Sequence, residues 1–596
     1  MALRRGVVLV LTLVGMAVLV SVAGILLLYL VASRGPAVPE QATLVLRPGG
    51  ELLEVVPDDV VGQFIGRDAS TVRGFVDSLR MARRDPRIKS VVLMPSTLDL
   101  PFWGKVQELR NAILDFRESG KPVVAFLEYG GEREYYLASA ADQVFLMPTS
   151  PLDLTGVASY EMFLRGTLDK IGTYPDFIHI GEYKTAVNTF TETTFTPTHR
   201  EMTESLNRDM YDQLVRDIAM ARKKTPAEIR TLMDEGPFTP DAALRAGLVD
   251  GLAYEDQLDD RVASLRGDGG EPRRIDGGDY QRISPSSVGF RPQSRIAVLY
   301  AVGTIVSGKS GIDGVNGAVV GSDTMVEQIR RVRDDDSIKA IVLRVDSPGG
   351  SSIASDVIWR ELTITRDANP SRPLIVSMGD LAASGGYYIA MPGQVIVAQP
   401  GTLTGSIGVY TGKFVMTGTL EKLGANIEAT SSGKHAEIYS PDRKFTPDER
   451  KKIEESMQNV YDQFIERTAA ARHMTPEKVD EVAQGRVWTG EQAKQLGLVD
   501  ELGGLYTAID MAKQRARIPA DEEVDLVVYP PHRSLYELLA DQLSSPVDRM
   551  RAAYTSDALM QLLGPRERKA VAAMLAPSRL FRSGQVLAHM PYVFVR

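Results

Sequence analysis

The sequence predicts an α/β protein made of two tandem copies of one domain, preceded by a single transmembrane helix. Three observations carry this reading. Blocks of sequence recur at a spacing of 250 residues, as "TPDAALRAGLVDGL" (239–252) does in "TGEQAKQLGLVDEL" (489–502). Short apolar runs alternate with helical patterns, the arrangement that builds βα units around a largely parallel sheet. The N-terminus opens on an uncharged run from Gly6 to Ser33.

That first run is long for a removable leader. A bilayer takes about 20 apolar residues, and the apolar part of a cleaved signal only about 7–15. The length therefore favours an uncleaved anchor over 1–35, with a removed signal peptide as the alternative. Arg4 and Arg5 precede the run and Arg34 alone closely follows it, so the N-terminus should stay inside. The expected location is single-pass in the cytoplasmic (inner) membrane, with everything after residue 35 on the periplasmic or extracytoplasmic side.

The repeat organises the rest. "YDQLVRDIAMARKKTPAEI" (211–229) matches "YDQFIERTAAARHMTPEKV" (461–479), and "DPRIKSVVLM" (85–94) falls on "DDSIKAIVLR" (335–344). A period this long is a duplicated domain rather than a solenoid. Copy one is placed at 40–262 and copy two at 295–515, joined by a Gly-, Pro- and Ser-rich linker over 263–294. Within copy two, "RIAVLY", "AIVLRV", "PLIVSM" and "QVIVAQ" read as buried strands. "DTMVEQIRRVRDD" and "SDVIWRELTITRD" read as helices between them, and "DERKKIEESMQNVYDQFIERTAAARH" as a long amphipathic helix. Residues 516–596 have no partner copy and read as a helical tail packed on the body, or as a surface facing membrane or subunit.

Composition narrows the function classes. At 596 residues the chain exceeds a single ordinary core. A net charge of −9 argues against nucleic acid as a partner. The absence of cysteine excludes disulfides, thiol catalysis and Cys-ligated metal. No cofactor or metal is expected.

Chemistry is sought where the copies differ. Copy two carries Ser384 in "MGDLAASGGYY", at a strand-to-helix turn whose small neighbours permit a sharp bend and whose helix N-terminus favours negative charge. Copy one reads "YGGEREYY" there, with Glu132 or Arg133 opposite the serine depending on the gap. A structural turn would tolerate serine in either copy, whereas catalysis confined to one copy predicts this difference. A serine hydroxyl needs a base. The six histidines mostly lie in stretches resembling helix or loop surface, so a lysine is the alternative. Aligning "IGEYKTAVNTFTETTFTP" with "SSGKHAEIYSPDRKFTP" on Gly181 and Gly433 sets Lys184 against Ala436, while an ungapped alignment sets it against Lys434. With the gap, each copy keeps the half the other has lost, and one composite site would use Lys184 and Ser384. "LRVDSPGGS" ends a strand in a turn where Gly349 or Gly350 can offer an N–H, and with Gly385 N–H it could form an oxyanion hole. Ser406 in "GTLTGSIGV" could hold a lysine amine or be a plain loop hydroxyl.

These residues bring a family into view. The sequence resembles the long, duplicated form of the signal peptide peptidase A (protease IV) family through "MGDLAASGGYY", "SPGGS", "TGSIGV" and "GEYKTAV", from the anchor to the terminal "GQVLAHMPYVFVR". The resemblance implies two crotonase/Clp-protease-like domains, with Ser384 as nucleophile, Lys184 as general base and Ser406 orienting the lysine. It implies Gly349 and Gly385 as oxyanion donors. It also implies a homotetrameric bowl opening toward the membrane, and peptide substrates left over as signal peptides after export. Single-copy relatives carry a lysine in an "SG-x-H-K" context; here Ser432-Gly433-Lys434-His435-Ala436 lacks it. Asp346 stands where the family commonly has asparagine, a departure that bears on little beyond local turn hydrogen bonds. Three rival readings remain: His435 as the base, a crotonase-like enzyme acting on acyl-CoA, and an inactive scaffold.

Overall fold

A computed structural model of the chain describes residues 36–55, 71–267, 273–313, 317–531, 586–590 and 594–595, with Met16, Val20 and Gly24 described singly. The anchor expected over 1–35 and most of the tail expected over 516–596 lie outside the described residues. Among the described residues, no helix is long and apolar enough to cross a membrane.

Two sheets repeat one strand order. In copy one, all neighbours are parallel in the order Gly251–Leu252, Gln143–Leu146, Val123–Leu127, Ile88–Leu93, Ala42–Leu46, Arg273–Asp276. In copy two the same order runs Glu501–Leu502, Val395–Ala398, Leu374–Ala383, Ile338–Ser347, Ser294–Val302, Val524–Tyr529, again parallel. Helices cover both faces, which is why the strands read as unbroken apolar runs rather than alternating ones. Ala42–Leu46, Val123–Leu127 and Val395–Ala398 are buried at every residue.

Two boundaries move. The segment 263–294, read as a linker, supplies the strand Arg273–Asp276, and the segment read as a helical tail begins with its counterpart Val524–Tyr529. Each copy closes its sheet with this sixth strand. Little periodicity marks it because it is a short edge strand. Tyr280, just beyond the first of them, is fully buried with its hydroxyl donating to Asp85 at 3.1 Å.

The long helix expected over 448–473 is Pro447–Arg472, and its copy-one partner is Pro197–Arg222. Thr446 caps the former in a reciprocal box with Glu449, Pro447 opens it with a ring that suits the first turn, and His473 ends it in a left-handed conformation.

A third sheet joins the copies. Tyr174–Ile180 of copy one pairs antiparallel with Val409–Val415 of copy two over seven register positions. Beside it, in order, lie Leu587–His589, Gly349–Ser351, Thr304–Val306, Gly317–Gly321 and Gly311–Asp313. The core is also shared, since Ala383, Leu403, Val487 and Met590 pack into the copy-one cluster.

Candidate active site

Ser384 stands where the Leu374–Ala383 strand hands over to the Gly385–Ala390 helix, at φ 55° and ψ −112°. A non-glycine residue held there stores about 1–3 kcal/mol of strain, so its surroundings must over-determine it. They do so closely. Ser384 N–H donates to the Gly405 carbonyl at 2.7 Å. A Cβ on Gly385 would come within 2.6 Å of Ser355 Oγ, and one on Gly386 within 2.6 Å of the Ser347 carbonyl. The glycines of "ASGG" are thus required by packing.

Lys184 is delivered by the inter-copy strand pair. After Ile180 the chain turns at Gly181, with φ 105°, and Tyr183 N–H donates to the Gln484 carbonyl at 2.7 Å. Gly485 lies so near that a Cβ there would sit 2.6 Å from the lysine backbone. The side chain then runs into the protein, fully buried, and Nζ lies 2.8 Å from Ser384 Oγ. It also lies 2.9 Å from the Ser406 carbonyl and 3.0 Å from Ser406 Oγ. Burial alone holds this amine well below the usual lysine range, because desolvation penalises the ammonium form. A neutral amine has two N–H groups and one lone pair. Ser406 can take both N–H groups, leaving the lone pair to accept the Ser384 hydroxyl proton.

The rival bases lie elsewhere. Lys434 is an exposed lysine paired with Asp448 at 2.6 Å, and His435 faces the same carboxylate at 3.4 Å. Beyond Lys184, Ser384 Oγ reaches the Gly408 carbonyl at 3.5 Å. In copy one the N-cap of the helix matching Gly385–Ala390 is Gly131, so no nucleophile stands at the equivalent turn.

The glycine turn needs one correction. Gly349 N–H is occupied, donating to Ser347 Oγ at 3.2 Å, so Gly349 is poorly placed as an oxyanion donor. Its lack of a side chain matters instead, since at φ 96° a Cβ would lie 2.7 Å from Gly385 N. The N–H of Gly350 is instead the one turned to the neighbouring strand, where it meets the Ala588 carbonyl in the antiparallel ladder Gly349↔His589, Gly350↔Ala588, Ser351↔Leu587. Ser352 N–H to Val586 O at 3.2 Å and Met590 N–H to Pro348 O at 2.9 Å set the alternation that makes Gly350 and Ala588 a hydrogen-bonded pair.

Several residues near the site carry no motif. Arg344 is fully buried and donates to Glu54 at 2.8 and 2.9 Å and to Glu108 at 2.7 Å, both carboxylates belonging to copy one. Lys105 of copy one pairs with Asp346 at 2.7 Å and lies 3.8 Å from Asp380. Burial pushes the Asp380 carboxyl up to about 6 against the pull of Lys105. Asp346 also accepts Leu381 N–H at 3.0 Å, so its carboxylate does more than an asparagine could by holding a cation of the other copy. The departure at Asp346, read as affecting only local turn hydrogen bonds, therefore reaches across the copies. Asp346 and Asp380 lie on the strands that end at the glycine turn and at Ser384. This ionic lattice docks copy one onto the elements bearing the site. A charge run alternating with apolar residues in "LRVDS" was its sole trace in the sequence.

A buried hydroxyl on a strained elbow, beside a neutral amine and with backbone N–H groups converging nearby, defines a class: serine hydrolases acting on carbonyl carbon. The family model for peptidase family S49 matches residues 115–267 and 366–519, one segment in each copy. The chain is 36% identical over 471 residues to the chloroplastic serine protease SPPA of Arabidopsis thaliana, covering 78% of this chain and 69% of that one. It is 34% identical to Protease 4 of Salmonella typhi, covering 80% and 76%. Copy-sized similarity, 35% over 32% of this chain, links it to 55% of the putative signal peptide peptidase SppA of Enterococcus faecium. The chain belongs to peptidase family S49. It is a serine protease of the long, duplicated form.

Proposed function

We propose that the chain is a membrane-anchored Ser-Lys endopeptidase that degrades apolar peptides, cleaved signal peptides among them, at the outer face of the cytoplasmic membrane. The observation that carries the reading is the 2.8 Å approach of Lys184 Nζ to Ser384 Oγ with both side chains fully buried. In this reading Lys184 accepts the Ser384 proton as Oγ attacks the scissile carbonyl. The oxyanion lies against Gly385 N–H and Gly350 N–H. Lys184 then protonates the leaving amine, and water, deprotonated by the same lysine, hydrolyses the ester. Ser406 orients the amine through two contacts. The uncharged run from Gly6 to Ser33 supports the anchor, and the family resemblance supports a homotetramer. The naming of a copy-sized relative supports signal peptides as substrates.

The test uses the full chain in detergent with a synthetic signal peptide. Wild type should cut it into fragments and Ser384→Ala should not. A wild-type preparation that leaves such peptides intact overturns the substrate assignment.

The pH profile follows from the lysine. Only the neutral amine can act, so kcat/KM should fall as pH drops through its depressed pKa and hold on the alkaline side. The same shift couples to stability. The unfolded chain binds this proton up to about pH 10.4 and the folded one does not, so Lys184 makes stability rise with pH between its folded value and that figure. An acid limb that persists in a Lys184→Met variant with residual activity would contradict the assignment.

A further inference from the structure

One short stretch of copy two is joined to both sides of the lysine site. The Gln484 carbonyl accepts the N–H of Tyr183, the residue before Lys184, at 2.7 Å, and Gln484 Oε1 accepts Glu182 N–H at 3.3 Å. Gly485 N–H donates to the Ile407 carbonyl at 2.7 Å, and the Arg486 carbonyl accepts Ser406 N–H at 2.7 Å. Ser406 needs such restraint, since φ of 50° is strained for a residue that carries a Cβ. The strand Val487–Thr489 then pairs antiparallel with Leu403–Gly405. A Cβ on Gly405 would come within 2.9 Å of the Trp488 ring, and Gly405 carries the carbonyl that takes Ser384 N–H.

The side chain of Arg486 ties these contacts together. Its guanidinium grips both oxygens of Glu201, at 2.5 and 2.8 Å, in a forked geometry that a lysine cannot copy. Its central carbon lies 4.7 Å from the Tyr183 ring centre and 4.4 Å from that of Trp488, within cation–π reach of both. One planar cation therefore touches the neighbour of Lys184 and the ring packed on Gly405. Through Glu201 it also holds the helix Pro197–Arg222 of copy one. Global stability is not what this arrangement supplies, because Glu201 is 53% exposed and ion pairs open to water add little.

The copies differ here as they do at the serine and the lysine. The match of Thr489 to Thr239 sets Arg486 on Gly236, and the "FTP" shared at 195 and 445 sets Glu201 on Lys451. Gly236 admits no side chain, since a Cβ there would lie 2.1 Å from the Leu154 carbonyl. Copy one thus holds the acid without the arginine, and copy two the arginine without the acid. We infer that Arg486 is a positioning residue for the hydrolysis, fixing Ser406 and the Tyr183–Lys184 turn relative to one another so that the lysine lone pair stays on Ser384 Oγ. This rests on the Ser-Lys protease reading above. The arginine side chain meets Glu201, Tyr183 and Trp488 rather than the amine or the nucleophile, so its loss should act on kcat and leave KM alone. It should also loosen the enclosure of the amine and relieve the desolvation that keeps it neutral. The buried His589 imidazole, held down to about 4 by burial first and by Lys184 second, is neutral at physiological pH and leaves the acid limb to the lysine.

Full-length Arg486→Leu, Glu201→Gln and Arg216→Leu test this, assayed in detergent on a synthetic signal peptide across pH, with melting curves. Arg216 is the reference. It forms the same kind of forked pair across the copies, with Glu491 at 3.0 and 2.9 Å, about 22 Å further along the helix that bears Glu201. Arg486→Leu should lower kcat about ten- to a hundred-fold, the scale of a misplacement of about 1 Å. KM should stay within about twofold of wild type. The acid limb of kcat/KM should move to higher pH, because a less dehydrated lysine holds its proton more tightly. Glu201→Gln, at an exposed position, should move kcat and the limb in the same directions by less, and it decides alone if Arg486→Leu does not fold. Arg216→Leu should match wild type in both, and the folded variants should melt within about 4 °C of it. Wild-type kcat and acid limb in Arg486→Leu overturn the inference. So does a kcat lost equally in Arg216→Leu, or lost while the limb stays in place, since either marks mere docking of the copies. A wild type that leaves the peptide uncut overturns the protease reading, and this inference with it.

Discussion

Lys184→Met should lower kcat for peptide hydrolysis by about ten-thousand-fold, the upper range for loss of a positioned general base. The substitution keeps length and apolar bulk but removes the lone pair that faces Ser384. Because the amine is fully buried and uncharged in the fold, its loss should leave the protein folded and at least as resistant to denaturant as wild type. The Lys184→Met/Ser384→Ala double variant should be no worse than either single one, since the two groups act as a unit. His435→Ala should behave like wild type, because that ring faces Asp448 at 3.4 Å. Steady-state kinetics on a quenched peptide, with melting curves for each variant, decides the matter. A Lys184→Met enzyme within tenfold of wild type would remove the lysine from the mechanism.

Arg344→Leu should be the most destabilising single change in the ionic lattice. It leaves Glu54 and Glu108 facing each other in a closed space, and an abandoned buried charge costs about 3–5 kcal/mol. Glu108 cannot simply turn away, since its other oxygen accepts Leu505 N–H at 2.7 Å. Adding Glu54→Leu and Glu108→Gln should recover most of the loss, because the penalty lies in the unpaired carboxylates rather than in a missing attraction. Denaturant titration of the three proteins reads this directly. Equal stability of Arg344→Leu and wild type would show that the carboxylates are not closed off. Activity should fall with stability here, since the lattice holds the strands that end at Ser384 and the glycine turn to copy one.

The fold was legible where burial on both faces forces apolar runs, as in "AIVLRV" and "QVIVAQ", and where a cap and proline mark a helix start, as at Thr446 and Pro447. It was less legible at sheet edges. Arg273–Asp276 and Val524–Tyr529 are edge strands with weak patterning, and they were assigned to linker and tail. Of the site, Ser384, Lys184 and Ser406 announced themselves by residue type, by the difference between the copies and by family motifs. Gly349 and Gly350 could not be told apart, because which N–H is turned to the neighbouring strand depends on Ser347 reaching back. Asp346 was read as a minor turn residue because its partner, Lys105, lies 241 positions earlier.

The sequence by itself determined that one α/β unit is written twice, that one copy holds a serine and the other a lysine, and that neither copy alone holds both. Only the tertiary structure decided that they meet. The lysine reaches its neutral, buried position because Tyr174–Ile180 pairs with Val409–Val415 and because Gln484 and Gly485 receive the turn that follows. The terminal strand Leu587–His589 belongs to the same category. A pairing of five residues at the chain's end with a strand more than two hundred positions away leaves no periodic mark, since register between distant strands is set by packing and main-chain hydrogen bonds rather than by local residue preference.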